Sequence, residues 1–519
     1  LFSFDWSPQR SSHTSQWGQN STCEPTVCRR SDVPLQASLT VMQMYNETIL
    51  NYHIQHPGGD SIPADPNAAF YLDGVCHLHY IVQHAWKGKH SYSFVHISSP
   101  DMLHWTWHPT KLQPSFTGHG MFSGTGFITK EGKAAIIYHG EASGRNYIAV
   151  AKDKKLSAWE EPYAVNPKTV QGDEVEMRHW DPDCFLINDT YYAISGGGKQ
   201  HLIKSKNLLN WTYVGDFLKH ELSDTVIGED ISCANFFPIG NKWMLLCISH
   251  SFGCRYYIGD WDEQAEQFAP ESHARMNWRR SDQDVFDTAS RDFFAPETVL
   301  TPDGRRVMWA WLWTVHEDLE KKSIQSLPRE LSLTEDGSLI IQPLRELEAL
   351  RSDHCAFNNI KLSVLRPGHS GMSIKHITDL DGDSLELKVM IENKNILRRR
   401  FSIQLFASEV HKGLPIMIRP ETSTILVGKT EAPFAVSDLP VDEDLELRIF
   451  IDHYLVEVFV NGRQALLTAY LDYKDANGLY VYAYGETLAI RQIDIWKLKP
   501  VNEGFLEAQT NPIWAPKAE

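Results

Sequence analysis

The sequence has no long apolar run and too few basic residues to balance its acidic ones, and each shortage excludes a class of protein. No stretch reaches the roughly 20 apolar residues that a membrane-spanning helix needs, so the sequence predicts no such helix. Lys and Arg number 49 against 66 Asp and Glu, which gives a formal net charge of −17. This charge argues against nucleic acid or an anionic membrane as a partner.

Cysteine is also scarce, and its spacing excludes the common zinc sites. The close pairs Cys23/Cys28 and Cys247/Cys254 lack both the C-x-x-C spacing and histidine partners. An even total of eight cysteines instead favours disulfides, whose pairing the sequence leaves open. N-glycosylation sequons are found at Asn20, Asn46, Asn188 and Asn210. With a first residue that is Leu1 and not Met, these features predict a processed, secreted glycoprotein.

The length of the chain requires more than one hydrophobic core. A chain of 519 residues with 42% hydrophobic and 22% charged residues is globular in composition, and two domains are expected. The pattern along the chain divides it into an N-terminal extension held by Cys23 and Cys28, a first β-rich domain, a second β-rich domain and a surface tail: 1–45, 46–350, 351–500 and 501–519.

The sequence of the first β-rich domain predicts repeated hairpins. Strand-like residues 69–72 and 75–80 flank Asp73-Gly74, the dipeptide that favours a type I′ turn. Four further hairpins follow: residues 126–128 with 134–138, 184–187 with 191–194, 236–238 with 242–246, and a last one around 301–304. Several small sheets of similar construction predict a β-propeller.

The second β-rich domain follows a helix-like link at 344–351. Alternation of apolar and polar residues resumes at 384–389 and 445–451. This period-two pattern predicts strands with one buried face, and a β-sandwich. The fold class expected from the sequence is therefore all-β, a propeller followed by a sandwich.

Three separated carboxylates stand beside strand-like segments in the first domain. Asp65 begins Asp-Pro-Asn, Asp181 lies in His-Trp-Asp-Pro, and Glu229 with Asp230 precedes Cys-Ala-Asn-Phe-Phe-Pro. Asp-Pro sequences also form simple turns, which is the alternative reading of the first two. Cleavage of a glycosidic bond uses carboxylates to attack the sugar, to donate a proton and to stabilise positive charge on the ring.

In this order the motifs resemble those of glycoside hydrolase family 32, the β-fructofuranosidase family of invertases, inulinases, levanases and some fructosyltransferases. The resemblance extends from about residue 50 to 500. The segments that carry it are 52–67, 99–105, 122–125, 180–182, 229–237, 292–298, 304–306, 327–331, 450–452 and 456–462.

The resemblance implies a five-bladed propeller with an axial acidic site, and a reaction that retains configuration through a covalent fructosyl-enzyme. It implies that Asp65 is the nucleophile, that Glu229 is the general acid and then base, and that Asp181 stabilises the transition state. A retaining mechanism places Asp65 and Glu229 roughly 5–5.5 Å apart. The resemblance implies no metal or other cofactor.

The sequence departs from the family pattern around the site. If Cys233 is aligned with the cysteine of the family motif, Ser232 falls at the position of the general acid. Serine is a poor proton donor, so Glu229 is the preferred acid. Asp230 is the alternative. Ala64 and Ala68 replace an Asn and a Gly of the nucleophile motif, and Ile81 replaces a substrate-binding Gln. The expected substrate-binding residues are Asn67, Gln83 (standing in for that Gln), Phe122, Ser123 and Trp180 (at the position of the family Arg).

Three functions are compatible with these residues. The first is release of fructose from sucrose or a fructan. The second keeps the chemistry but passes fructose to another acceptor or forms a difructose anhydride. The third is a catalytically inactive carbohydrate-binding protein, which retention of all three acidic sites argues against. A small-molecule or oligosaccharide substrate is the partner expected, and the sequence leaves the oligomeric state open.

Overall fold

A computed structural model describes residues 49–280, 292–313, 324–363, 372–397, 399–469 and 476–519. The predicted N-terminal extension, Cys23, Cys28 and the sequons at Asn20 and Asn46 lie outside these residues. Among the residues described, none belongs to a helix long and apolar enough to cross a membrane.

Five antiparallel sheets follow one another along the first part of the chain. The first contains β1 (Ile62–Leu72), β2 (Val75–Trp86), β3 (Lys89–Ser99) and β4 (Thr106–Trp107). After a short α-helix (Pro114–Thr117), the second contains β5 (Met121–Ile128), β6 (Ala134–Gly140), β7 (Arg145–Val150) and β8 (Tyr163–Ala164). The third contains β10 (Pro182–Ile187), β11 (Thr190–Ser195), β12 (His201–Ser205) and β13 (Trp211–Asp216), with β9 (Pro167–Lys168) parallel to β13.

The remaining two sheets repeat this order. The fourth contains β14 (Ser232–Ile239), β15 (Lys242–Ser249), β16 (Gly253–Asp262) and β17 (Gln267–Arg275). The fifth contains β19 (Phe294–Leu300), β20 (Arg306–Leu312), β22 (Arg329–Leu333) and β23 (Leu339–Pro343), with β21 (Ile324–Gln325) also paired to β20. The innermost strands contact one another in the cyclic order β1, β5, β10, β14, β19 and back to β1. This arrangement is a five-bladed propeller.

The five predicted hairpins are confirmed as the two inner strands of the five blades. Asp73 and Gly74 have φ values of 48° and 84°, as a type I′ turn requires. The sequence signal was therefore strongest where tight turns join the inner strands.

A ring of buried polar bonds joins neighbouring blades near the axis. The Asn67 side chain accepts a bond from the Gly124 amide at 2.7 Å, which links β1 to β5. Asp183 of β10 accepts from Thr125 Oγ1 of β5 at 2.6 Å and from the Phe236 amide of β14 at 2.7 Å. Two further bonds complete the ring: Thr298 N to Asn235 Oδ1 at 2.9 Å and Ala69 N to Glu297 Oε1 at 3.1 Å. These bonds satisfy buried polar groups and fix the blades relative to one another.

Two larger sheets form the predicted sandwich. One contains β24 (Arg351–Leu362), β35 (Leu488–Leu498), β26 (Ser384–Ile391), β31 (Leu445–Asp452), β32 (Leu455–Val460) and β33 (Gln464–Ala469). The other contains β18 (Arg279–Arg280), β30 (Thr430–Pro433), β29 (Thr424–Val427), β28 (Leu414–Arg419), β27 (Arg400–Ala407), β34 (Gly478–Tyr484) and β25 (Met372–Asp379). Short 3₁₀ helices lie at Arg345–Leu350, Asn393–Asn395 and Val436–Asp438. Inward-facing Leu, Ile, Val and Phe residues of both sheets form one hydrophobic core.

A buried ionic cluster fastens the sandwich to the propeller. His53, just before the first blade, places Nδ1 2.8 Å from Asp452 and Nε2 3.3 Å from Glu457, both in the sandwich. Glu457 also accepts from Arg329 Nη2 of β22 at 2.7 Å and from the Leu327 amide at 2.8 Å. Burial acts to lower the pKa of His53, but the two carboxylates outweigh it and raise the pKa to about 9. The cluster therefore contains a histidine held in its charged form.

The end of the chain differs from the surface tail that the sequence suggested. A helix at Glu503–Thr510 buries Phe505 and Ala508, and Trp514 is only 1% exposed. Trp514 packs edge-on against His56, and its carbonyl accepts a bond from Thr110 Oγ1. The apolar side chains in this stretch contact the core beside the first blade.

The six cysteines of the described part of the chain carry free thiols, so the predicted disulfides are not formed there. Cys247 lies opposite Arg255 and Cys254 lies opposite Ile248 in the β15–β16 register. A one-residue offset sends two side chains to opposite faces of a sheet. The two thiols accordingly lie in different hydrophobic cores.

A ladder of four stacked histidines fills one side of the first blade. His77 Nδ1 lies 2.9 Å from His96 Nε2, and the His96 ring stacks on those of His79 and His108 at 4.7 and 4.5 Å. Burial lowers the pKa of His77 to about 4 and of His79 to about 3. These rings are therefore neutral in the folded protein at pH 7.

The ladder should make the protein sensitive to acid. The unfolded chain binds protons on these histidines near pH 6.5 whereas the folded chain does not, so the free energy of unfolding should fall as pH decreases below about 6.5. Urea titrations at pH 7, 6 and 5 would measure this slope. His79→Phe should reduce it by up to about 1.4 kcal/mol per pH unit, the contribution of one proton. The exposed His104→Gln serves as the control, and an unchanged slope in His79→Phe would contradict the assignment.

Candidate active site

Asp65, Ser123 and Asp181 meet Cys233 at one end of the propeller because each lies near the beginning of an innermost strand. Asp65 is in β1, Ser123 is in β5, Asp181 immediately precedes β10, and Cys233 is in β14. The pairing of β1, β5 and β14 with the next strand is broken by β-bulges at these points. A bulge redirects a side chain that would otherwise follow the alternation of the strand.

Asp65 is buried, with its carboxylate directed into this region. Ser123 Oγ donates to Asp65 Oδ2 at 2.9 Å, and Cys233 Sγ lies 3.6 Å from the same oxygen. Asn67 Nδ2 donates to the Asp65 backbone carbonyl at 3.0 Å. Burial raises the pKa of Asp65, and the bond from Ser123 partly opposes this shift. The carboxylate is thus oriented by neighbours on two blades.

Asp181 is joined to Asp65 through Cys233. The Cys233 amide donates to Asp181 Oδ2 at 3.2 Å, and its thiol lies 3.7 Å from that oxygen. Cys233 has a φ of 47°, a conformation uncommon for a residue with a side chain. This conformation directs both its amide and its thiol at the carboxylates. Burial raises the pKa of Asp181 to about 6; nearby His250 opposes the rise and the charge of Asp65 adds to it.

Glu229 lies in a different environment. Its two oxygens are 2.6 Å from Arg275 Nη1 and 3.1 Å from Arg255 Nη1, and its side chain is 1% exposed. Burial acts to raise the pKa of Glu229, but the two arginines outweigh it and lower the pKa. A carboxylate held ionised in this way does not fit the proton-donor role predicted for Glu229.

The side chain of Asp230, the alternative acid, contacts His250 in the loop after β15. Its Oδ2 accepts from Ser232 Oγ at 2.7 Å and lies 2.6 Å from His250 Nδ1. Burial acts to raise the pKa of Asp230, but the bonds from His250 and Ser232 lower it to about 2. Ser232, at the position of the family acid, also accepts a bond from Trp180 Nε1 at 3.1 Å.

An arc of aromatic rings beside the carboxylates includes the predicted substrate-binding residues Phe122 and Trp180. Gln83, another of the predicted residues, is hydrogen-bonded to the first ring of the arc. Gln83 Nε2 donates to Tyr92 Oη at 2.7 Å, and the Tyr92 ring lies 4.5 Å from that of Phe122. The arc continues from Phe122 through His139, at 6.2 Å, to Trp180, at 5.5 Å. Sugar rings stack well on such aromatic faces, so the arc is suited to line a carbohydrate site.

Asn67 and Ser123 support Asp65 directly. Asn67 is 1% exposed, because it belongs to the ring of bonds between blades, and this burial does not fit the contact with substrate predicted for it. Sequence reasoning overlooked Cys233, His250 and Tyr92. The bulge and the positive φ that place Cys233 between the carboxylates leave no pattern in the sequence. In the described part of the chain, no three His, Cys, Asp or Glu side chains are grouped to hold a metal ion.

The comparisons with known proteins agree with this geometry. The model of the "Glycosyl hydrolases family 32 N-terminal domain" matches residues 53–343, and that of the family's C-terminal domain matches residues 346–497. The chain belongs to glycosyl hydrolase family 32. The enzyme is therefore a glycosidase.

Individual relatives of this glycosidase are distant. It is 25% identical over 476 residues to a sucrose-6-phosphate hydrolase of Vibrio alginolyticus. This alignment covers 85% of this chain and 89% of the relative. It is 27% identical over 491 residues to a levanase of Bacillus subtilis, covering 84% of this chain and 68% of the relative. Fructan 1-exohydrolase IIa from Cichorium intybus has the same fold, with a TM-score of 0.67 at 19% identity, covering 88% and 98% of the two chains.

Proposed function

We propose that this glycosidase releases fructose from β-fructofuranosides, sucrose or a fructan, through a covalent fructosyl-enzyme. The observation that carries the proposal is the buried pair of Asp65 and Asp181, bridged by Cys233 beside an arc of aromatic rings. Relatives named as a levanase and a fructan exohydrolase support the substrate class.

In the proposed reaction, Asp65 attacks the anomeric carbon and forms the covalent intermediate. Ser123 Oγ holds one oxygen of Asp65, which leaves the other oxygen for the sugar. Asp181 stabilises the positive charge that develops on the ring, and buried surroundings strengthen this interaction. Water then releases fructose from Asp65, and the configuration of the anomeric carbon is retained.

Product analysis tests the proposal. The enzyme is incubated with sucrose, inulin and levan, and the products are separated by chromatography. Free fructose, together with a fructosyl adduct on the Asp65 peptide in acid-quenched samples, supports the proposal. Larger or cyclic products would assign the chain to fructosyl transfer, and no turnover of any fructoside would overturn the proposal.

The charge of Asp181 predicts how the rate depends on pH. Because its pKa is raised to about 6, Asp181 gains a proton as pH falls through this value and loses its stabilising charge. We expect kcat/KM to decrease about tenfold per pH unit below pH 6. Initial rates from pH 4.5 to 8 measure this limb, with tryptophan fluorescence recorded alongside to exclude acid unfolding. A flat profile down to pH 5 would contradict the assignment.

Secretion remains a prediction. The sequons at Asn188 and Asn210 both lie at exposed positions beside strands of the third blade, where a glycan would meet no steric obstacle from the core.

A further inference from the structure

The retaining reaction needs a group that donates a proton to the leaving oxygen, and the expected carboxylate is missing from its place. Ser232 stands at the family's acid position, and Glu229 is bound by two arginines. We propose that His250, oriented by Asp230, donates the proton to the leaving group and later activates water. This inference rests on the proposed function and names the group that moves the proton within the same site.

The register of the fourth blade brings His250 to the site. Ser232 at the beginning of β14 pairs with Ile248 near the end of β15, so the turn after β15 lies beside the segment that precedes β14. Asp230 fixes this turn twice, because Oδ1 accepts from the His250 amide at 2.9 Å and Oδ2 contacts His250 Nδ1 at 2.6 Å. Backbone and side chain of His250 are thus both held by one carboxylate.

Contacts connect this pair to the attacking carboxylate. Asp230 Oδ2 accepts from Ser232 Oγ at 2.7 Å, and the next residue, Cys233, places its thiol 3.6 Å from Asp65 Oδ2. The positive charge of His250 lowers the pKa of both Asp65 and Asp181, as a nearby cation does. Its side chain is 51% exposed, whereas both carboxylates are buried. His250 therefore stands on the solvent side of the site, where a leaving group must depart.

Negative charge predominates around the His250 imidazole. Asp230 is the contacting anion, and Asp65 and Asp181 add negative charge from β1 and the beginning of β10. The Arg255 guanidinium donates from Nη2 to the Asp230 backbone carbonyl at 2.6 Å, and its Nη1 forms an ion pair with Glu229 at 3.1 Å. From the fifth blade, Phe294 places its ring 6.2 Å from that of His250.

The proton balance of the reaction is complete with this residue. In the first step, a carboxylate oxygen of Asp65 bonds to the anomeric carbon, the bond from that carbon to the leaving oxygen breaks, and His250 Nε2–H transfers its proton to that oxygen. In the second step, neutral His250 accepts a proton from water as the water oxygen bonds to the anomeric carbon and the bond to Asp65 breaks. The imidazolium is regenerated, with Nδ1 directed at Asp230 throughout.

Other acidic groups of the site are less suited to this role. Because its pKa is lowered to about 2, Asp230 is ionised near neutral pH, so it positions His250 and does not donate a proton. Asp181, whose pKa is about 6, is the competing proton donor. The two assignments predict different effects of replacing His250.

The test compares substrates with poor and good leaving groups. His250→Gln should lower kcat/KM on sucrose by about 10²–10⁴, the usual contribution of an acid–base group. On p-nitrophenyl β-fructofuranoside, whose leaving group needs no proton, the first step should be nearly unaffected, and the burst of nitrophenol should persist. Asp230→Asn should move the alkaline limb of kcat/KM to lower pH, because the imidazolium loses its contacting anion.

His104→Gln is the matched control. His104 Nδ1 lies 2.7 Å from Asp101 and its side chain is 55% exposed, so it reproduces the histidine–aspartate pair in a turn of the first blade. Its activity should equal that of the wild type. Equal losses on both substrates in His250→Gln, or an alkaline limb unmoved in Asp230→Asn, would overturn the inference and favour Asp181 as the donor. A wild-type enzyme without activity on any fructoside would instead overturn the proposed function itself.

Discussion

Replacing Asp65 by alanine should lower kcat by several powers of ten on every fructoside, including one with an activated leaving group. Asp65 is the buried carboxylate whose orientation is fixed by Ser123, and in the proposed mechanism its loss removes the covalent route to the product. An activated leaving group compensates for a missing proton donor and not for a missing nucleophile. Initial rates on sucrose and on p-nitrophenyl β-fructofuranoside measure both effects.

Asp60→Ala provides the control, since Asp60 is exposed in the turn that precedes β1 and lies only five residues away. It should retain wild-type activity. Circular dichroism of Asp65→Ala checks that the blades have formed. An Asp65→Ala enzyme that keeps more than about a tenth of the activity on either substrate would exclude Asp65 as the nucleophile.

Replacing Glu457 by alanine should reduce the free energy of unfolding by about 3–5 kcal/mol, which is the usual cost of removing one partner of a buried ionic cluster. The change leaves the guanidinium of Arg329 and the imidazolium of His53 without the carboxylate that both contact. Urea denaturation followed by tryptophan fluorescence measures the loss. Because the pKa of His53 is raised, its contribution should be complete below pH 6.5 and lost as pH rises through about 9.

Glu446→Ala is the matched control on the neighbouring strand. Glu446 pairs with Lys388 at 2.7 Å, but both side chains are about one-third exposed. Exposed ion pairs contribute less than about 1 kcal/mol, so this variant should be nearly as stable as the wild type. Similar stabilities for the two variants would show that the cluster does not fasten the sandwich to the propeller.

Local signals in the sequence were sufficient to predict the propeller, and the structure brings two of the three predicted carboxylates, Asp65 and Asp181, together. Asp73-Gly74 specifies a turn whose geometry few other residues adopt, and each of the other inner hairpins turns at one residue with positive φ: Gly132, Asn188, Gly240 or Gly304. Asp65 and Asp181 were recognisable because each begins or precedes an innermost strand, and the innermost strands converge at the axis.

The ion pairing of Glu229 could not be predicted from the sequence, because its partners are distant in the chain. Arg255 and Arg275 come from β16 and β17, and only the pairing of these strands brings their guanidinium groups to Glu229. The separation of Cys247 from Cys254 depends in the same way on a one-residue register. Sequence spacing gives the distance along a strand but not which face of the sheet a side chain occupies once two strands have paired.

The packing of residues 501–518 against the first blade has a consequence for biosynthesis. During translation, the blade made first exposes the surface that Trp514 later covers, beside His56 and Thr110. This surface stays open while the other four blades and the sandwich emerge from the ribosome, and such long-range contacts slow folding. Until residue 514 has left the exit tunnel, the first blade therefore keeps the apolar surface that Trp514 will cover exposed to solvent.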